Sequence, residues 1–190
     1  MTEESTVLSR ALLASDFRGI LERAAAGGVV RVDPIPEEEL LRIEKRFIDA
    51  VEGGIVPEVE LPPAHFFFPS MKLYCRAVTI PKGALVISRF HKTSELNLIL
   101  RGRVLVRADD EIRMVQGPCA FESRANLRKI VFGVEDTVYA TAHYNPDGIT
   151  DPDEMESLLV ESSDAFYEHK NRKAILHDPR FSMQIAEELA

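Results

Sequence analysis

The stretch GALVISRFHKTSELNLILRG, residues 83–102, decides the architecture. Gly83 opens it after Pro81-Lys82 and Gly102 closes it. Two aliphatic runs flank a polar knot made of Arg89, His91, Lys92 and Glu95. Short runs rich in Val, Ile and Leu, bounded by Gly and Pro, read as strands. Residues i and i+2 of a strand share a side. Arg89 and His91 are therefore expected to point together into the interior, and a short turn brings Glu95 on the following strand beside them.

The same texture extends in both directions, from about Met71 to Tyr144. The segments are KLYCRAVTI, ALVISRFH, LNLILRG with RVLVRA, EIRMVQ, CAFES, LRKIVFGV and TVYATAHY. Turn residues separate them at Pro81-Lys82-Gly83, Asp109-Asp110, Gly117-Pro118 and Glu135-Asp136. So many short strands without an intervening helix predict an antiparallel sandwich or barrel and not a Rossmann-type sheet.

Outside this centre the period changes. Val7, Leu8, Ala11, Leu12, Phe17, Ile20 and Leu21, then Leu40, Leu41, Ile43, Phe47, Ile48 and Val51, recur at helical spacing. Two amphipathic helices are expected, the first ended by Gly27-Gly28 and the second running from Pro36 to Gly53-Gly54. Pro57, Pro62, Pro63 and Pro69 make residues 55–69 read as an extended linker, with Phe66, Phe67 and Phe68 expected to plug the edge or mouth of the barrel. Past residue 145, Asp151-Pro152 is a cap and first-turn pair, Met155, Leu158, Leu159, Ala165 and Phe166 give an apolar side, and a short helix is expected over 179–189. The organisation is thus a helical arm (1–54), a linker (55–69), a strand domain (70–145) and an acidic helical arm (146–190). One domain with attachments suits a chain of 190 residues.

The net charge of −8 disfavours nonspecific nucleic-acid binding, yet it is unevenly spread. Residues 1–69 carry 7 basic against 13 acidic side chains, residues 70–145 carry 12 against 7, and residues 146–190 carry 4 against 11. A basic centre between acidic arms suits a small anionic ligand, or a neighbour's acidic segment in a homodimer or higher oligomer; the plain alternative is that the arms have solvated faces. No apolar run is long enough for a membrane, and MTEESTVLSR lacks the order of a signal peptide, which points to the cytoplasm. Cys75 and Cys119 form no metal or disulfide pattern. The absence of G-x-S-x-G, Walker and dinucleotide signatures removes serine-hydrolase, kinase and dehydrogenase readings.

From Gly83, five residues lead to Arg89, then come His91, Glu95 and, six residues on, Gly102. This spacing resembles the first motif of the cupin superfamily, G-x5-H-x-H-x3,4-E-x6-G, with Arg89 at the first histidine position. The resemblance covers residues 70–145 and implies a double-stranded β-helix, a jelly-roll barrel. The second cupin motif, P-x-G-x-x-H, is matched best by Ser123 to Arg128, without its proline, glycine or histidine. On that alignment the four metal-ligand positions hold Arg89, His91, Glu95 and Arg128. Guanidinium has no lone pair to offer and stays charged, so two such groups repel a divalent ion and suit a carboxylate or phosphate, with Lys129 as a further cation. No cofactor is favoured. Two alternatives stay open: a divalent transition metal held by His91, Glu95 and His143 in a metal-dependent enzyme, or a closed polar core in which Glu95 pairs with an arginine and His91 is hydrogen-bonded.

The segment also looks like small cupin-like proteins of tailed bacteriophages, through His91-Lys92, the run Leu96 to Val104 and Glu135-Asp136-Thr137-Val138. That likeness implies an accessory or virion protein, in host cytoplasm or particle, with other virion proteins as partners and arms wrapping neighbouring subunits.

Overall fold

The computed structural model describes residues 61–108 and 110–161 without interruption, together with 58–59, 174–176 and scattered positions from 23 to 53. The helices expected over 7–21 and 179–189 lie outside the described residues. Glu38, Leu41, Arg42, Lys45 and Asp49 are helical as expected, with Lys45 Nζ 2.9 Å from Asp49 Oδ1 one turn on.

Eight strands build the barrel: β4 (Leu73–Ile80), β5 (Ala84–Ile87), β6 (Glu95–Arg101), β7 (Arg103–Ala108), β8 (Glu111–Gln116), β9 (Cys119–Ser123), β10 (Lys129–Gly133) and β11 (Thr137–Tyr144). They are preceded by β1 (Val29–Arg31), β2 (Glu58–Val59) and β3 (Ala64–Phe68), and followed by β12 (Ala174–Leu176). One sheet has the order β1-β8-β7-β10-β5-β12-β2 and the other β3-β4-β11-β6-β9. Every pairing is antiparallel, and the first barrel strand meets the last, the second meets the seventh, the third meets the sixth and the fourth meets the fifth. The barrel is one long hairpin folded over on itself, with Asp110 at its tip, which is the jelly-roll arrangement.

The motif glycines sit at backbone angles that other residues resist. Gly83 has φ +83° and donates its N–H to the Gly133 carbonyl (2.7 Å), while Gly102 has φ +86° and its missing side chain leaves room for the Asp136 carbonyl. The first turn carries the chain from β4 in one sheet to β5 in the other, and the second carries it from β6 to β7 in the same sense. Between the sheets pack Ile80, Ile99, Val104, Val106, Val115, Val131 and Tyr139. The outward side of the larger sheet is covered by the chain's own arm, where Ala24 and Val30 meet Leu105, Ile112 and Phe132.

The smaller sheet differs. On β6 the alternation of burial runs against hydropathy: Glu95, Asn97 and Ile99 point inward and are buried, whereas Leu96 and Leu100 point outward, 44% and 54% exposed. Residues 64–68, expected as linker, form the edge strand β3 paired to β4. The prolines fit that place because they stand at its ends and an edge strand needs only one ladder of hydrogen bonds. Phe67 packs inward on Tyr74, while Phe66 and Phe68 face out, so the aromatic run plugs the mouth with one ring and not three.

Past β11, α1 (Pro152–Leu159) begins where expected: Asp151 Oδ1 accepts the Glu154 N–H (2.8 Å), Pro152 occupies the first turn, and Asp153 and Glu154 lie at the positive end. Met155 and Leu159, one turn apart, bury against Tyr74 and Phe67, each worth about 1.5 to 3 kcal/mol. The helix therefore sits across one end of the barrel. No helix among the described residues is long and apolar enough to cross a membrane.

Candidate ligand pocket

The barrel mouth contains two adjoining spaces. An inner chamber of about 110 Å³ has aliphatic walls, Leu61, Val78, Ile80, Val86 and Val131, and a polar side formed by Arg76, Ser88, Arg89, His91, Glu95, Lys129, Tyr139 and Thr141. An outer cleft of about 380 Å³ adds His65, Tyr74, His143 and the α1 residues Asp153, Glu156 and Leu159. Arg76, His91 and Thr141 line both.

Glu95 is the hub. It starts β6 facing inward and is 3% exposed. One carboxylate oxygen, Oε1, contacts the Lys129 ammonium, and the other, Oε2, lies 2.9 Å from His91 Nδ1 and 3.6 Å from His143 Nε2. Lys129, also 3% exposed, reaches in from β10 and spends its other donors on Asn97 Oδ1 (2.8 Å) and Ser123 Oγ (3.3 Å). The Asn97 oxygen also accepts from the Tyr139 hydroxyl, and its amide donates to Ser123 Oγ (2.9 Å). All three ammonium donors of Lys129 thus have acceptors, which a buried cation requires. Burial pulls the Lys129 ammonium down to about 7, and the Glu95 carboxylate in contact with it opposes that pull.

The histidines respond to the same surroundings. Burial first, then the positive charges of Lys129, Arg76 and Arg89, lower His91 to about 3. Burial, then His91, Lys129 and Arg76, lower His143 to about 3 as well. Both imidazoles are neutral at ordinary pH. They stack at 5.8 Å between ring centroids and continue a row of rings through Tyr74, 5.9 Å from His143. Burial pushes the Tyr74 hydroxyl up to about 12, so it keeps its proton, and it is hydrogen-bonded to His65 Nδ1 (2.7 Å).

The residues read from the sequence are distributed as follows. Arg89, His91 and Glu95 line the inner chamber together. Arg89 pairs with Glu156 of α1 (3.0 Å) and not with Glu95, whose cationic partner is Lys129. Arg128 lines neither space; its Nε donates to the Ser88 carbonyl (3.1 Å), and the neighbouring Lys129 occupies the interior. The strand expected to reach His91 ends at Ile87, after which His91 makes single bridges to Leu127 and to Val160 behind α1. Lys92 fixes this loop to α1 through its N–H on the Leu159 carbonyl (2.8 Å) and its ammonium on the Ser157 carbonyl (3.0 Å). Arg76, Asn97, Ser123, Tyr139 and Thr141 were not read as site residues. A charge within KLYCRAVTI, two positions from Tyr74 and from Val78 on the inward side, is the signal that marks Arg76.

His91, Glu95 and His143 each bring a ligand atom within 4.8 Å of the others, close enough to share a divalent ion. The surroundings are adverse to one: the Lys129 ammonium is already on Glu95, and Arg76 and Arg89 add fixed positive charge at the same cavity.

No family model and no curated protein matches the chain. Among solved structures it is similar to KdgF from Halomonas sp., at 16% identity and a TM-score of 0.42 over 52% of this chain and 88% of that one. It is also similar to an RmlC-like cupin from Shewanella frigidimarina, at 14% identity and a TM-score of 0.39 over 45% and 77%. The cupin domain of Schizosaccharomyces pombe Cnp3 aligns at 16% identity and a TM-score of 0.38 over 51% and 80%.

Proposed function

We propose that the barrel is a metal-independent binding pocket for a small carboxylic acid with a short apolar tail. The observation that carries this reading is Arg76. Arg76 lines both spaces, its Nε is buried without a hydrogen-bond partner, and it forms no ion pair among the described residues, although Glu95, Asp153 and Glu156 line the same spaces. Arginine grips a carboxylate through paired N–H donors, which supplies the missing acceptor. The tail follows from the walls, since the space beyond Arg76 is aliphatic. A cavity of 150 Å³ accommodates benzene, so about 110 Å³ takes roughly four carbons.

A ligand at 100 times its Kd stabilises the folded state by about 2.7 kcal/mol. At roughly 2 to 4 °C per kcal/mol for a chain of this size, the midpoint is expected to rise by about 5 to 11 °C. A thermal-shift series of four- to six-carbon monocarboxylates, with inorganic phosphate and nucleotides beside them, reads this directly. Arg76→Gln is expected to abolish the shift and leave the unliganded midpoint within a few degrees. A flat response to every acid, or a shift that survives Arg76→Gln, counts against the reading.

A second reading rests on the proximity of His91, Glu95 and His143. They would hold a divalent transition metal, which would supply Lewis-acid chemistry to a bound substrate. Elemental analysis of protein purified without chelator separates the two. Well under one metal per chain is expected, and a value near one iron, manganese, nickel or zinc favours the metal.

A further inference from the structure

We propose that the chain forms a two-fold dimer by stacking the outward face of its five-stranded sheet on the same face of a second copy. The reversed pattern of β6 turns Leu96, Leu98 and Leu100 away from the barrel, at the price of a polar interior. The neighbouring strands extend this face. Leu98 pairs with Ala120 on β9 and Ala140 on β11, Ala140 pairs with Ala77 on β4, and Phe66 and Phe68 border it on β3. Phe66, Phe68, Leu96 and Leu100 are each more than 40% exposed. Monomers rarely leave so large a contiguous apolar surface open to water.

The occupant follows from where the rest of the chain goes. Where described, the amino-terminal arm and β12 join the other sheet, and α1 packs on the inward side at Tyr74 and Phe67: β1 pairs with β8, Ala24 packs on Leu105 and Ile112, and β12 pairs with β5. Nothing among the described residues covers the five-stranded face. Its ionised side chains, Glu122 on the edge strand β9 and Arg101 at the end of β6 opposite Val138, stand at the rim, so a second copy meets no charge across its centre. Five strands about 4.8 Å apart and about 24 Å long give a face of roughly 600 Å², hence roughly 1,200 Å² buried in a pair, the lower bound for a stable interface. The flat alanine and leucine centre suits sheet-on-sheet packing at about 10 Å.

Light-scattering mass of the full chain at micromolar concentration, in 0.1 M and 1 M salt, tests this. Twice the chain mass is expected in both, since apolar contact does not weaken with screening. Leu96→Glu with Leu100→Glu places carboxylates at exposed positions of the monomer and is expected to give a folded monomer, with a Kd at least 100-fold weaker. Should that variant not fold, Leu96→Ala with Leu100→Ala is expected to weaken the dimer at least 10-fold. A monomeric parent chain, as when its own arm covers the face, overturns the proposal. So does a dimer that dissociates in 1 M salt, or one that survives the substitutions unchanged.

Discussion

Lys129→Met is expected to destabilise the fold by about 3 to 5 kcal/mol, because it strands the Glu95 carboxylate in a site 3% exposed, with no other lysine or arginine among the described residues in ion-pair contact. At roughly 2 to 4 °C per kcal/mol, the thermal midpoint should fall by about 6 to 20 °C. The double variant Lys129→Met with Glu95→Gln removes both charges, and most of the loss should return. Circular dichroism melts of the parent, both single variants and the double variant form a cycle that isolates the pair. A single variant as stable as the parent would show that Glu95 takes up a proton or a different partner.

Acid is expected to unfold the protein from just below neutrality. The unfolded chain protonates its histidines near 6.5, whereas His91 and His143 in the fold are held to about 3. Between those values the unfolded state binds more protons, so the histidines' contribution to stability is full above pH 6.5 and declines as pH falls towards 3. Each histidine contributes up to about 5 kcal/mol to that decline, since lowering a titration from 6.5 to about 3 is worth about 1.36 kcal/mol per pH unit. Denaturant titrations at pH 7.5, 6, 5 and 4 measure the slope, and His143→Gln should flatten it by roughly half. Equal stability at pH 7.5 and 4 would count against neutral, buried imidazoles.

The architecture was legible in Gly83 and Gly102 because both mark backbone angles demanded by the turns that cross from one sheet to the other. The limits of β8 and β11 matched the sequence segments residue for residue. Arg128 and Lys129 could not be separated in the same way. Ile130 and Phe132 point outward on β10, Ile130 buried and Phe132 packed with the arm's Ala24 and Val30, so both faces of that strand carry apolar residues and hydropathy does not reveal which side is inside. Borrowed motif spacing then selected position 128. The pairing of Arg89 was not legible, because its partner, Glu156, arrives from a helix 67 positions later, a distance over which local pattern carries no information. Phe66 to Phe68 read as linker because the flanking prolines mask an edge strand whose pairing with β4 is set by the sheet.

The folded-over hairpin also fixes the order in which contacts become affordable to the chain. At the tip, Ala108 and Glu111 are three positions apart, whereas at the open end Leu73 and Tyr144 are 71 positions apart. Closing a loop costs entropy that grows with its length, so pairing is expected to proceed from tip to mouth. The pocket spans β4, β6, β10 and β11 and is completed only near the end of that sequence. Such nonlocal topology belongs with domains that fold in milliseconds to seconds, a timescale that stopped-flow fluorescence or circular dichroism measures. A nascent chain therefore leaves one backbone edge of β6 unpaired long before β11 is available to pair with it, and the vulnerability of that edge to aggregation is concentrated in that interval.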